Sequence, residues 1–420
     1  MSAVDPPRAE ETYRPWATGE LAWETGVVRL TDDGGGAATR ARLLVRAGGR
    51  SVALVELDPV PEPAAARAAV PPDVAARADE LAASPRDYAQ SGTWPPVTAV
   101  ICTVGTHPRL AAAVRSVLAQ DVPGLEVVVV DNAPATGATR AALDGLVDHR
   151  LRIVEEPRRG LAHARNRALE VARGEVVAFT DDDALAADSW LPGLLDVFRS
   201  DPAGQVVAVT GLVVAGQMAS PAQEHFEEYG GFGKGMERQA WAVDTTNLHE
   251  GLGRPASHGP LFPWTTGKVG SGNSMAFRRD ALERVGGFDV RLGAGTRTYG
   301  GEDLDAFSRL LVAGGVVVYT PDSVVWHFHR EHLEELHTQL YGNGCGMGAI
   351  LTKWLLRRPT FALRLVARLP VMAWTVLSPG SQRNAGRSPQ YPGSLHTAEL
   401  RGLAAGPWAY LRSLRTGRDP

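Results

Sequence analysis

Gly174-Glu175-Val176-Val177-Ala178-Phe179-Thr180-Asp181-Asp182-Asp183 is an apolar run that ends in three consecutive acids. Val176 to Phe179 has the length and β-branched content of a buried strand. The acids therefore fall at its carboxyl end, where open α/β sheets place their ligands. Carboxylates this close repel one another and need a cation. Alternate acids, Asp181 and Asp183, can converge on one hard divalent ion through oxygen, as Mg²⁺ or Mn²⁺ prefers, with substrate phosphates completing the shell. The same letters also suit a solvated turn capping a helix that begins near Asp188 or Ser189.

Working outward, strands and helices alternate on both sides of this run. Val97 to Thr103 reads as a strand, Arg109 to Gln120 as an amphipathic helix, and Leu125 to Val130 as a second strand ending in Asp131-Asn132. A helix near Thr136 to Val147, a short strand Leu151 to Val154 and a helix His163 to Arg173 lead into the acid run. This alternation implies right-handed βαβ units and a mostly parallel, Rossmann-like sheet covered on both faces. Its strand ends share one edge, which collects Thr103, Asp131, Asp181 to Asp183 and, from the last helix, Arg165. Taken singly, Asp131 also fits a turn after a strand and Arg165 an exposed helix charge.

Composition narrows the function classes. The 420 residues carry a net charge of −4, against the basic footprint of a nucleic-acid binder, and 44% hydrophobic content suits a globular chain. Two cysteines, one in an apolar strand and one in a Gly-rich segment, fit a reducing, cytoplasmic setting. Met1 to Glu11 lacks the basic flank and apolar core of a signal peptide. Apolar runs stay shorter than a membrane span. The nearest approach, Phe361 to Leu377, is broken by Arg364 and Arg368, so that 353–377 suits either a peripheral membrane contact or a helix packed on the domain. Residues 1–60 read as a small β-rich domain with a hairpin at Ala47-Gly48-Gly49-Arg50, and 61–96 as a Pro/Ala-rich linker with a helix near Pro72 to Ala83. The stretch from Pro221 to Trp264 is Gly-rich, lacks strong periodicity and reads as a mobile loop over the cleft.

The ordered segments Val97 to Thr103, Ser116 to Gln120, Val129 to Asn132, Gly160 to Asn166 and Asp181 to Asp183 resemble the inverting nucleotide-diphosphosugar glycosyltransferases of family 2, which have the GT-A fold. The resemblance runs from about Val97 to Arg330. It implies a GT-A domain over 97–335, with a donor half at 97–215 and an acceptor half at 216–335, followed by a helical C-terminal extension over 336–420. It implies nucleoside contacts at Thr103 and Asp131, a base or phosphate contact at Arg165, a ribose and metal contact at Asp181, and a metal ligand at Asp183. Asp182 is then a spacer. Two departures stand out: Cys102 where the family often has Pro, and Gly105-Thr106-His107-Pro108 in place of its usual turn.

On the acceptor side, Tyr299-Gly300-Gly301-Glu302-Asp303-Leu304-Asp305 opens a helix. Acids are favoured in a first helical turn by the dipole alone. Transfer to a hydroxyl also needs a base within reach of the acceptor, and the Gly-Gly-Glu-Asp pattern resembles the family's acceptor motif. That assigns Asp303 as base, Glu302 as its partner on the acceptor and Asp305 to structure. Beyond a strand ending at Trp326, His327 and His329 fall on one face; the resemblance makes His327 the third metal ligand, with His329 a phosphate or acceptor contact. Trp264 is a candidate stacking platform for a sugar. Gly342 to Gly348 is glycine-rich but lacks the βαβ context of a dinucleotide loop.

The expected activity is metal-dependent, inverting transfer of a sugar from a nucleotide diphosphate donor to a hydroxyl acceptor such as a glycan, a lipid-linked saccharide or a natural product. Without the Gln-x-x-Arg-Trp motif or membrane spans of processive synthases, it is expected to be non-processive. Two rivals remain. A sugar-1-phosphate nucleotidyltransferase needs a longer Gly-rich loop with Lys after the first strand, and a silent glycan- or nucleotide-binding module would have no use for acids at every expected position.

Overall fold

A computed structural model describes residues 13–32, 36–86, 88, 94–246, 248–256, 259–378, 380–381, 383–384 and 386–416. An N-terminal sheet is built from β1 (Trp16–Ala22), β2 (Val27–Asp32), β3 (Arg40–Ala47) and β4 (Arg50–Leu57), in the order β2-β1-β3-β4. The hairpin expected at Gly48-Gly49 joins β3 to β4; the strand over Trp16–Ala22 was not legible. Helix α1 (Pro72–Ala82) turns Ala78 and Leu81 into this sheet's core beside Ala66 and Val70. Much of the segment expected as a linker thus completes the N-terminal domain.

The central sheet starts with β5 (Val97–Thr103), α2 (Leu110–Leu118), β6 (Glu126–Asp131), α3 (Ala138–Ala142), β7 (Leu151–Glu155), α4 (Leu161–Val171) and β8 (Val176–Asp181). Then follow β9 (Ala184–Ala186), α5 (Trp190–Arg199), β10 (Val206–Ala215), α6 (Pro221–Glu228), β11 (Gln239–Trp241), β12 (Arg254–Pro255) and β13 (Met275–Arg278). Helices α7 (Arg279–Arg284) and α8 (Glu302–Val312) precede β14 (Val316–His327), a single twelve-residue strand. The strand order is β12-β11-β14-β10-β13-β8-β5-β6-β7, with β9 paired to β14. β8, β5, β6 and β7 run parallel; β13 lies antiparallel between β8 and β10. The Val- and Ala-rich strands are buried on both faces, as a sheet covered by helices on each side requires.

The stretch Pro221 to Trp264, expected as a mobile loop, contains α6, β11 and β12. Ser220 and Gln223 form a reciprocal capping box with Pro221 in the first turn. That Ser-x-x-Gln signature precedes only a short helix, and the glycines after it hid it. The C-terminal extension is helical: α9 (Leu333–Arg357), α10 (Phe361–Leu377) and α11 (Gly393–Thr416). Among the described residues no helix is long and apolar enough to cross a membrane.

Candidate active site

Strand register assembles the site. β5 and β8 place Cys102 opposite Asp181, while β5 and β6 place Thr103 opposite Asp131. β13 runs antiparallel to β8 with Met275 opposite Phe179, so Asn273, two residues before it, comes beside Asp181 and donates its Nδ2 to Oδ2 at 2.7 Å. Sequence reading missed Asn273; only the antiparallel register identifies it. β9 pairs with the end of β14, His327 opposite Ala184, which brings His327 beside Asp183.

Asp181, Asp183 and His327 each offer a ligand atom, and these lie within 4.8 Å of one another. His327 Nε2 is 3.2 Å from Asp183 Oδ1, yet that buried oxygen has no hydrogen-bond partner. Oxygen and imidazole nitrogen at this spacing suit a shared divalent cation once Nε2 has lost its proton. Burial raises the Asp181 carboxyl to about 6, with Arg165 opposing the rise. Burial works the same way on Asp183, but His327 outweighs it and holds that carboxyl well below the usual range. Asp182 is more than a spacer: it accepts a hydrogen bond from Thr103 Oγ1, which in turn accepts from Gly105 N at 2.9 Å.

Behind His327 runs a buried polar chain. His327 Nδ1 lies 2.9 Å from His329 Nδ1, and His329 Nε2 lies 2.8 Å from Glu227 Oε1 on α6. Arg42 Nη1 of the N-terminal β3 reaches Glu227 Oε2 at 2.9 Å. Burial resists ionisation of Glu227, yet His329 and Arg42 bring it down to about 2, so it accepts. Burial also lowers His329 despite Glu227, which keeps it neutral. His329 then donates from Nε2 to Glu227 and accepts at Nδ1 from His327. Burial works against a charged His327, but Asp183 raises it; its Nε2 proton faces Asp183, and loss of that proton frees the lone pair for a cation. His329 is therefore committed to this chain, where a phosphate or acceptor contact was expected. Glu227, in the stretch taken for a loop, and Arg42 carried no sequence signal for this role.

The Glu302-Asp303 helix start meets the Asp181, Asp183 and His327 cluster through Arg165. This buried guanidinium bonds Glu302 Oε1 at 2.6 Å through Nη1 and lies 3.6 Å from Asp181 Oδ1 through Nη2. The base or phosphate contact expected of Arg165 gives way to two protein carboxylates, because α4 points it inward beneath Gly272. Burial raises Glu302 to about 7 against the pull of Arg165. Asp303 is half-buried at the start of α8, with Oδ1 accepting from Leu304 N at 2.8 Å. Asp305 is structural: with Asp289 it holds buried Lys353 of α9, at 2.7 and 2.6 Å, and it accepts from Arg309 Nε. Asp131 is buried, and its Oδ1 accepts from Ala133 N at 3.0 Å, the turn role open to it from sequence. Trp264 is partly buried against Phe361 of α10, with ring centroids 5.2 Å apart, and Arg364 lies over its face.

Gly342 to Gly348 lies inside α9, and its glycines admit close backbone contact. A Cβ at Gly346 would stand 2.7 Å from the carbonyl carbon of Gly300, in the loop that presents Glu302 and Asp303. One at Gly344 would meet the carbonyl oxygen of Glu399 on α11 at 2.0 Å.

Residues 98–286 match the profile of glycosyl transferase family 2. The succinoglycan biosynthesis protein ExoM of Rhizobium meliloti is 29% identical over 54% of this chain and 64% of its own length. The glucosyl-dolichyl phosphate glucuronosyltransferase of Haloferax volcanii is 28% identical over 47% of this chain and 57% of its own. The pre-mycofactocin glycosyltransferase of Mycobacterium tuberculosis is 27% identical over 63% and 50%. The chain thus spans between half and two-thirds of the length of these relatives. Among solved structures, a mannosyltransferase from Pyrobaculum calidifontis, in complex with GDP-Man and Mn²⁺, is similar at 23% identity with a TM-score of 0.44, over 78% of this chain and 81% of that one.

Proposed function

Since the chain belongs, through residues 98–286, to glycosyl transferase family 2, with the GT-A fold, we propose that it is a metal-dependent, inverting and non-processive glycosyltransferase that moves a sugar from a nucleotide diphosphate to a hydroxyl acceptor. The observation that carries this reading is the union of the Asp181, Asp183 and His327 cluster with the Glu302-Asp303 helix start through one buried arginine.

Asp181, Asp183 and His327 would hold a divalent ion, Mn²⁺ or Mg²⁺, which supplies charge stabilisation for a departing nucleoside diphosphate. Asn273 fixes the rotamer of Asp181, and the His329 chain fixes that of His327. Thr103 and Asp131 line the strand ends where the nucleoside would lie. Asp303 takes the acceptor proton as the acceptor oxygen attacks opposite the leaving group. Glu302, anchored by Arg165, orients the acceptor hydroxyl. Single displacement by that oxygen inverts the anomeric centre and needs no acid on the leaving group, unlike glycoside hydrolysis.

The test is a screen of UDP-, GDP- and dTDP-sugars, following donor consumption with Mn²⁺, with Mg²⁺ and with EDTA, on wild type and Asp303→Asn. Metal-dependent consumption that Asp303→Asn lowers by at least about a hundredfold supports the reading. Equal turnover by Asp303→Asn removes the base assignment, and donor binding without any turnover points to a silent module.

A further inference from the structure

Helix α10 turns Phe361, Leu365 and Met372 onto α9, where they join the cluster of Leu261, Ile350 and Trp354. A helix with one buried side normally shows polar residues on the other. Here the far side is apolar as well: Leu363, Val366, Pro370, Trp374 and Leu377 recur every three or four residues, and Leu363 is 75% exposed, Val366 65% and Trp374 65%. Helix α11 adds Trp408, 64% exposed, with Leu411 and Leu414. Exposed apolar surface on this scale marks an interaction site.

Charge says what covers it. Between Lys353 and Thr416, Glu399 is the sole acid, and it is occupied by Arg383 and Tyr229, whereas Arg357, Arg358, Arg364, Arg368, Arg412 and Arg415 are exposed. This lies within a chain whose net charge is −4. At the foot of α10 a cavity of about 340 Å³ is lined by Trp264, Arg358, Thr360, Phe361, Leu363 and Arg364, so that two guanidinium groups meet apolar wall at one mouth. An exposed apolar face that carries tryptophan, on helices whose exposed charges are arginines, matches the interface of an anionic bilayer: acyl chains under the leucines, phosphates within reach of the long guanidinium side chains.

We propose that the α10 and α11 faces together form a docking surface for an anionic lipid leaflet. The peripheral contact expected over 353–377 shifts accordingly. Lys353 and Trp354 are buried and take no part, while α11, further along the chain, does. The surface adjoins the acceptor edge, since Phe361 packs on Trp264 and Ile350 of α9 lies against Gly301. The docked protein would thus hold its acceptor side toward the lipid.

Flotation with vesicles tests this, comparing phosphatidylcholine alone with phosphatidylcholine containing phosphatidylglycerol. Wild type is expected to float with the anionic vesicles and to be released by high salt. Leu363→Ser with Trp374→Ser should abolish flotation, and Arg364→Gln with Arg368→Gln should weaken it at least about tenfold. Both doubles should keep wild-type Mn²⁺ binding and melting temperature, which separates a failure of docking from a failure of the transferase reading. Equal flotation of wild type and the Leu363/Trp374 variant would overturn the proposal. So would a wild-type dimer in light scattering that the same substitutions disperse and that ignores both vesicle types, since a second copy would then cover the face.

Discussion

The N-terminal sheet reaches the metal edge through guanidinium and carboxylate groups, Arg40 with Glu224 at 3.1 Å and Arg42 with Glu227 at 2.9 Å, while the C-terminal helices reach the acceptor edge through backbone contact at Gly346. Both elements lie outside the family-matched residues 98–286. The polar contact orients a side chain, His327, by fixing protons along a chain of bonds. The glycine contact sets the height of a loop, Tyr299 to Gly301, by letting two backbones touch. Substitutions in the two regions should therefore fail differently, one in metal affinity and the other in turnover.

The reference point is the site itself. Asp183→Ala removes a ligand common to any version of the mechanism and should lower turnover about a thousandfold, with Mn²⁺ binding lost by calorimetry. Retained activity would detach the metal from the reaction. Next comes Glu227→Gln, which leaves His329 free to flip. Weakening of Mn²⁺ affinity by about 10–100-fold is expected, as for other partners of metal-bound histidines. Arg42→Ala should shift affinity in the same direction by less, because Glu227 keeps His329. If neither moves the Mn²⁺ dissociation constant, the N-terminal sheet merely packs on the core.

On the other side, Gly346→Val presses a side chain into the Gly300 backbone. A stability loss of about 1–3 kcal/mol is expected from overpacking. Donor turnover should fall while Mn²⁺ affinity holds, since Glu302 and Asp303 move and Asp183 does not. A parallel fall in metal affinity would mean that the two edges are coupled through Arg165, which touches both Glu302 and Asp181.

Particular residues show what the sequence could and could not reveal. The strands Val97–Thr103 and Val176–Asp181 were legible because a strand buried on both faces is a continuous apolar run; Asp181 and Asp183 stood out at the end of such a run, and His327 through the family resemblance. Asn273 was hidden because its role depends on an antiparallel register that one strand does not encode. Glu227, His329 and Arg42 form a chain across three distant segments; His329 stood out beside His327, but neither Glu227 nor Arg42 departs from an ordinary surface pattern. The glycines of α9, set aside as a dinucleotide loop for want of a βαβ unit, serve instead the close approach of the Gly300 and Glu399 backbones, which sequence did not indicate.

Protonation sharpens the contrast between the two carboxylates that serve the metal site from different distances. Asp181, raised to about 6 by burial, must be ionised to hold a cation, so metal binding displaces a proton below that value. Lowering the pH from 7.5 to 5.5 should weaken Mn²⁺ binding roughly fourfold through Asp181 alone, and further through His327, which Asp183 raises against burial and which must also shed a proton to bind. Glu227, held at about 2, stays ionised throughout this range and adds no slope of its own. The sign follows for stability too: a carboxyl raised in the folded state favours the apo fold below its unfolded value and loses that contribution as pH rises through about 6. Added Mn²⁺ should accordingly raise the melting temperature more at pH 7.5 than at pH 5.5. A shift that is larger at the lower pH would place the titrating group elsewhere than Asp181.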